Sequence, residues 1–179
     1  MTQPDLIIRA ATLDDLAAIA SLVQSAYRGD SSRIGWTTEA DILDGIRITD
    51  EELAKLITAP AARMLLAVDG GETIGCCLVE RRADDIAYFG TFAVRPDRQA
   101  GGYGRALLTH AEQYARREWG AAVMEMTVIA QREDLIAWYE RRGYARTGER
   151  REFPYGDERF GLPRRDDLYF TVLEKKLAG

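Results

Sequence analysis

Arg95-Pro-Asp-Arg-Gln-Ala-Gly-Gly-Tyr-Gly-Arg-Ala-Leu-Leu108 joins an apolar, β-rich run ending at Val94 to a segment whose apolar residues recur at helical spacing. Gly101, Gly102 and Gly104 fall at the junction, between Arg98 and Arg105. The first N–H groups of a helix have no intrahelical partner, and the helix dipole makes that end attractive to anions. Glycine, lacking a Cβ, lets a phosphate come close to such groups. The stretch therefore predicts strand, tight turn and helix, with a pyrophosphate on the turn; a ligand-free turn of the same shape is the alternative. A P-loop would need Lys and then Ser or Thr after the last glycine, where Arg105-Ala106 stands. A dinucleotide fingerprint would need a glycine at Leu107 and an acidic residue near Ala130-Gln131.

Downstream, Tyr103, Leu107, Ala111 and Tyr114 predict a long amphipathic helix stopped by Gly120. Ala122 to Ala130 reads as a strand, and Leu135, Trp138, Tyr139 and Arg142 share one face of a shorter helix ended by Gly143. Strand, crossover helix and strand imply parallel pairing. Ala145 to Phe153 and Leu168 to Lys175 read as two further strands, joined by a long loop carrying Tyr155 and Phe160. Upstream, Asp69-Gly70-Gly71 between apolar runs predicts a hairpin of 63–68 and 72–81, and 85–94 is a third consecutive strand. Leu6 to Arg9 is a short strand, and Thr12 opens a helix closed by Gly29. Two short helices are expected between 30 and 60, opening at Thr38 and at Thr49.

A chain of 179 residues with 46% hydrophobic and 30% charged residues fits one domain, 1–179. Its net charge of -5 argues against a nucleic-acid surface and leans towards cationic partners such as amines. The start lacks a signal peptide's basic flank and apolar run, and no apolar run reaches membrane-spanning length. Cys76 and Cys77, adjacent, supply neither disulfide framework nor metal pattern, and His110 is the single histidine. The expectation is a cytoplasmic protein with no metal, no membrane and no nucleic-acid partner; a homodimer is compatible with the sequence.

Gln99-Ala100-Gly101-Gly102-Tyr103-Gly104 and Ala137-Trp-Tyr139-Glu-Arg-Arg-Gly143-Tyr144 together resemble two motifs of the GNAT superfamily of acyl-CoA-dependent N-acyltransferases. The first matches the loop (Arg/Gln)-x-x-Gly-x-(Gly/Ala) after a strand; the second matches a helix ending aromatic-Tyr-Glu-x-x-Gly-aromatic. With the order of elements, the resemblance covers essentially the whole chain. It implies an α/β GNAT fold: a twisted, mixed and mostly antiparallel sheet of about seven strands flanked by helices, with splayed parallel central strands.

The resemblance also implies acetyl-CoA as co-substrate. Its pyrophosphate would lie on the N–H groups from Gln99 to Arg105, with Arg98 nearby, and its pantetheine arm along the backbone of Phe92, Ala93 and Val94. The N–H of Val94 would serve the oxyanion, and Tyr139 would protonate the departing sulfur. A phenol of pKa ~10 gives its proton to a thiolate of conjugate-acid pKa ~8.5 only when close to it. Two positions depart from the family pattern. Arg132 stands where many members carry an Asn that bonds the pantetheine, and Thr127 where some members carry a glutamate base. Arg132 is then a candidate phosphate ligand, and Glu39, Glu80 and Glu125 are the remaining carboxylates. Trp36, Glu39, Tyr155 and Phe160 lie in segments that select substrate in the family and would suit a small-molecule amine or amino acid. The expected function is acetyl transfer to a primary amine in a ternary complex. The contrasting readings are a noncatalytic acyl-CoA-binding regulatory module and an enzyme acting on a protein N-terminus or lysine.

Overall fold

The computed structural model describes residues 5–27, 43–44, 48–83, 85–156 and 162–177. Along the chain run β1 (Leu6–Ala10), α1 (Leu16–Tyr27), β2 (Leu43–Asp44), α2 (Asp50–Thr58), β3 (Ala62–Asp69), β4 (Glu72–Ala83), β5 (Ile86–Val94) and α3 (Tyr103–Trp119). They are followed by β6 (Val123–Ile129), α4 (Glu133–Glu140), β7 (Ala145–Glu152), β8 (Leu162–Pro163) and β9 (Tyr169–Lys176). Seven strands form one sheet in the order β1-β3-β4-β5-β6-β9-β7, antiparallel except where β5 meets β6; β2 and β8 make a separate pair. This is the mixed sheet that the resemblance implied. The expected helix at Thr38, and the site candidates Trp36, Glu39 and Phe160, lie outside the described residues.

Local chemistry sets the boundaries. Thr49 caps α2 by accepting the Glu52 N–H at 3.1 Å, and three acidic residues in the first turn face the dipole favourably. Gly120 ends α3 at φ 63°, a left-handed conformation that a residue with a Cβ adopts only at a cost. At the start of α1 the chain takes a short 3-10 turn, Leu13–Asp15, where the sequence pattern predicted helix throughout. There Asp15 accepts the Thr12 N–H at 2.8 Å and pairs with Arg9 of β1 at 2.9 Å.

Each face of the sheet has its own core. Alternation along the strands sends Leu65, Cys77, Val79, Phe89, Phe92, Val94, Met124 and Met126 to one face, where α3 and α4 cover them. Met64, Leu66, Cys76, Leu78 and Ala93 point to the other, under α1 and α2. The two adjacent cysteines are thus buried on opposite faces, both as free thiols. Among the described residues no helix is long and apolar enough to cross a membrane, and no group of three or more candidate ligands could hold a metal ion.

Candidate active site

β5 and β6 pair in parallel only at Ile86↔Val123, Ala87↔Met124 and Tyr88↔Glu125. Both strands continue, to Val94 and Ile129, yet the ladder between them stops. A sheet interior with unpaired edges is costly unless something else bonds those backbone groups. The cause of the divergence lies in β5. Cys76 pairs with Ala93 but Leu78 pairs with Gly90, so Thr91 and Phe92 together oppose Cys77. This β-bulge holds Thr91 at φ 44°, unusual for a β-branched residue, and bends the strand. It also explains how Phe89 and Phe92, three residues apart, reach the same face.

Beyond the bulge, strand alternation decides which backbone groups look into the gap. The Arg95 N–H donates to Ile74 O of β4 at 2.8 Å, so the polar groups of Val94 turn the opposite way, away from β4. The Gln99 side-chain amide donates to Val94 O at 3.0 Å, which leaves the Val94 N–H as the group that faces the gap. By the same alternation Phe92 shares Val94's orientation. Ala93 is turned to β4, its carbonyl 3.0 Å from where a Cβ on Gly75 would stand.

Above this gap the chain makes the glycine turn. Pro96–Gly101 is a 3-10 turn, Gly102 has φ 81°, and α3 begins at Tyr103. The Ala106 N–H is bonded to Gly102 O, so those of Tyr103, Gly104 and Arg105 precede the first intrahelical bond. The space around Gly102 is open, whereas a Cβ on Gly104 would come within 2.9 Å of Phe92 Cζ. Gly104 therefore lets the helix start lie directly on β5. Arg98 is held on the side of the β3–β4 hairpin: its Nη2 donates to Tyr103 OH at 2.7 Å and to Asp69 at 3.2 Å. Tyr103 OH donates to Asp69 as well, and Arg95 pairs with Glu72 and Asp97. These ties raise the Arg98 pKa, chiefly through the Tyr103 hydrogen bond. In sequence Arg98 reads as a phosphate ligand; its observed contacts fasten the turn to the hairpin.

Tyr139 lies on α4, 4% exposed, with its ring 6.3 Å from those of Phe89 and Phe92, 5.3 Å from Trp138 and 6.0 Å from Tyr144. It thus packs on the β5 segment that has lost its parallel partner. Arg132 is the residue before α4; its N–H donates to Ile129 O, and its carbonyl accepts from Ile136. Tyr155 is 44% exposed and braces its loop, donating to Arg165 O at 3.0 Å and accepting the Leu168 N–H at 2.8 Å.

On the opposite face of the sheet the register brings together residues that are distant in sequence. Glu80, Tyr88 and Glu125 form one row across β4, β5 and β6. Tyr88 and Thr127 share a hydrogen bond of 2.7 Å between their hydroxyls. Arg82 pairs with Glu80 at 2.9 Å and lies over the Tyr88 ring, and Arg151 of β7 pairs with Glu125 at 2.7 Å. Sequence reasoning named the two glutamates but missed Tyr88, Arg82 and Arg151. Their alternate positions along each strand were visible; the register that aligns them was not. His110 on α3 is half-buried, and burial with Arg117 nearby lowers its pKa, which favours the neutral imidazole.

The sequence matches the family model described as Acetyltransferase (GNAT) family over residues 17–144. The fold is similar to that of the ribosomal-protein-S18-alanine N-acetyltransferase from Escherichia coli, with TM-score 0.71, 19% identity, and 97% of this chain and 95% of that one covered. It is also similar to a spermidine/spermine N-acetyltransferase from Vibrio cholerae, with TM-score 0.68, 17% identity, and 98% and 94% covered. A nourseothricin acetyltransferase gives TM-score 0.68 at 18% identity, with 97% and 99% covered. No curated protein sequence matches the chain.

Proposed function

The chain belongs to the GNAT acetyltransferase family, and on that premise we propose that it moves an acetyl group from acetyl-CoA to a primary amine of a small molecule or amino-acid-like substrate, by direct transfer in a ternary complex. The observation that carries this reading is the ladder that stops between β5 and β6 beside Tyr139. The fit to acetyl-CoA rests on that gap. Phe92 and Val94 offer backbone groups to amides of a pantetheine, and the turn from Gln99 to Arg105 offers N–H groups to a pyrophosphate. Ala100, Gly101 and Gly102 belong to that turn through their backbone, and Arg132, the residue before α4, is a further candidate ligand.

When bound, acetyl-CoA supplies the acetyl group and a thiolate leaving group. The Val94 N–H, fixed by strand alternation and by Gln99 on the same residue's carbonyl, is a preorganised donor for oxygen charge developing at the gap. Tyr139 holds the proton destined for the sulfur at its phenolic oxygen, and its ring contacts set the position of that oxygen. The amine approaches from the face bearing Glu80, Tyr88 and Glu125, where the two carboxylates, each paired with an arginine, can take up its proton directly or through water. Residues 1–179 are read as one such catalytic domain, acting in the cytoplasm.

Similar folds act on a ribosomal protein, on polyamines and on nourseothricin, so the acceptor class is the part to test first. Purified protein with acetyl-CoA should release free thiol with members of a panel of amino acids, polyamines and aminoglycoside-like amines, faster than with peptides bearing a free N-terminus. Tight acetyl-CoA binding with no release for any acceptor would defeat the catalytic reading; release with peptides alone would move the acceptor to protein.

A further inference from the structure

Between α3 and the end of α4 lies a cavity of about 270 Å³. Arg105, Thr109 and Glu112 line it from α3, Arg141 and Arg142 from the end of α4, and Lys175 from β9. Its charges do not balance. Lys175 donates to both oxygens of Glu112, at 3.0 and 3.2 Å, and Tyr144 OH donates to the same carboxylate at 2.8 Å. That carboxylate is therefore spent on Lys175 and Tyr144. Arg105 and Arg141 are exposed and form no ion pair among the described residues.

Arg142 is held in place. Its guanidinium stacks 4.0 Å from the centroid of the Trp138 ring, and Nη1 donates to Trp138 O at 3.1 Å. Nε is buried and has no hydrogen-bond partner among the described residues. A buried donor left without a partner is costly, and it commonly marks a place for an ion or water. The Nε–Nη2 edge is one of those with which a guanidinium grips two oxygens of an anion. Burial first, then the nearby charges of Arg105 and Arg141, lower the Arg142 pKa.

We propose that this cavity binds a phosphomonoester dianion, gripped by Arg142 and flanked by Arg105 and Arg141. A dianion with three acceptor oxygens matches three guanidinium groups, whereas a carboxylate would leave most of their charge unbalanced. Arg105 belongs to both the cavity and the first turn of α3. A nucleotide whose pyrophosphate rests on the glycine turn thus carries its ribose phosphate towards the cavity. In coenzyme A that group is the 3′-phosphate. This source rests on the acetyl-CoA reading above; free phosphate is the other source of the same chemistry.

The test compares acetyl-CoA, its 3′-dephospho analogue and inorganic phosphate by calorimetry. The proteins are wild type, Arg142→Gln and Arg105→Gln/Arg141→Gln, each checked for folding by melting temperature. The double variant alters exposed side chains, so it keeps the test decisive if Arg142→Gln fails to fold. Wild type should bind acetyl-CoA about tenfold or more tightly than the dephospho analogue, from the loss of a charge-assisted contact. The preference should shrink towards unity in the variants. Equal binding of the two donors, with inorganic phosphate binding that the variants lose, supports the site and assigns it to free phosphate. Equal binding with no phosphate binding overturns the proposal, as does a preference that survives in every folded variant. If neither donor binds, the acetyl-CoA reading fails by itself, and the phosphate titration alone decides the cavity.

Discussion

Two side chains carry predictions at the scale of a single residue. Tyr139 is packed by four rings, contacts that a phenylalanine ring would keep. Tyr139→Phe should therefore keep the fold and the acetyl-CoA affinity while lowering kcat about a hundredfold, the usual scale for a lost general acid. Steady-state kinetics with direct binding reads both, and unchanged kcat would remove the proton-donor role. Asp15 offers a pH test. Its hydrogen bond to Arg9, aided by the Thr12 N–H, lowers its pKa to about 2. The unfolded carboxyl titrates near ~3.9, so the contribution to stability is complete above about pH 4 and is lost as pH falls through about 2. Asp15→Asn should cost about 1 kcal/mol at neutral pH, as other cap deletions do. Urea melts should show wild type and variant converging between about pH 4 and about pH 2; a constant difference would assign the effect to packing.

At the scale of elements, the join of β5 to α3 depends on two glycines for different reasons. Gly102 needs φ 81° and has open space around it; Gly104 has ordinary helical backbone and no space, with Phe92 Cζ 2.9 Å from a would-be Cβ. Gly102→Ala should cost about 1 kcal/mol, from left-handed backbone alone. Gly104→Ala should cost about 1–3 kcal/mol by overpacking, and should also weaken acetyl-CoA binding by lifting the helix start from β5. Melting temperatures with calorimetric titration separate them: if Gly104→Ala binds acetyl-CoA as wild type does, the contact with Phe92 has no part in shaping the cradle. The sequence announced this junction clearly, because glycines between a β-rich run and a helical repeat leave few other structures. It did not announce the bulge at Thr91, since Gly90-Thr91 inside an apolar run also fits a regular strand.

Across the whole molecule, the divergence of β5 from β6 makes one slot in an otherwise continuous sheet. Amides of 89–94 and 126–129 that face that slot, rather than β4 or β9, should exchange with deuterium faster than those of 86–88, and should gain protection when acetyl-CoA is added. Protection elsewhere but not in those two segments would place the donor outside the slot. The sequence by itself determined the kinds and order of most elements, the parallel crossover and the two motifs, because hydrophobic period, capping and glycine placement act within a few residues along the chain. Only the tertiary structure decided that β9 enters between β6 and β7 and that Glu80, Tyr88 and Glu125 share a row. It also decided that Arg98 turns to Asp69, and that Arg105, Arg141 and Arg142 converge on one cavity. Those outcomes depend on register and on packing between distant segments, and no local pattern encodes either, since a slip of one residue sends every side chain to the opposite face.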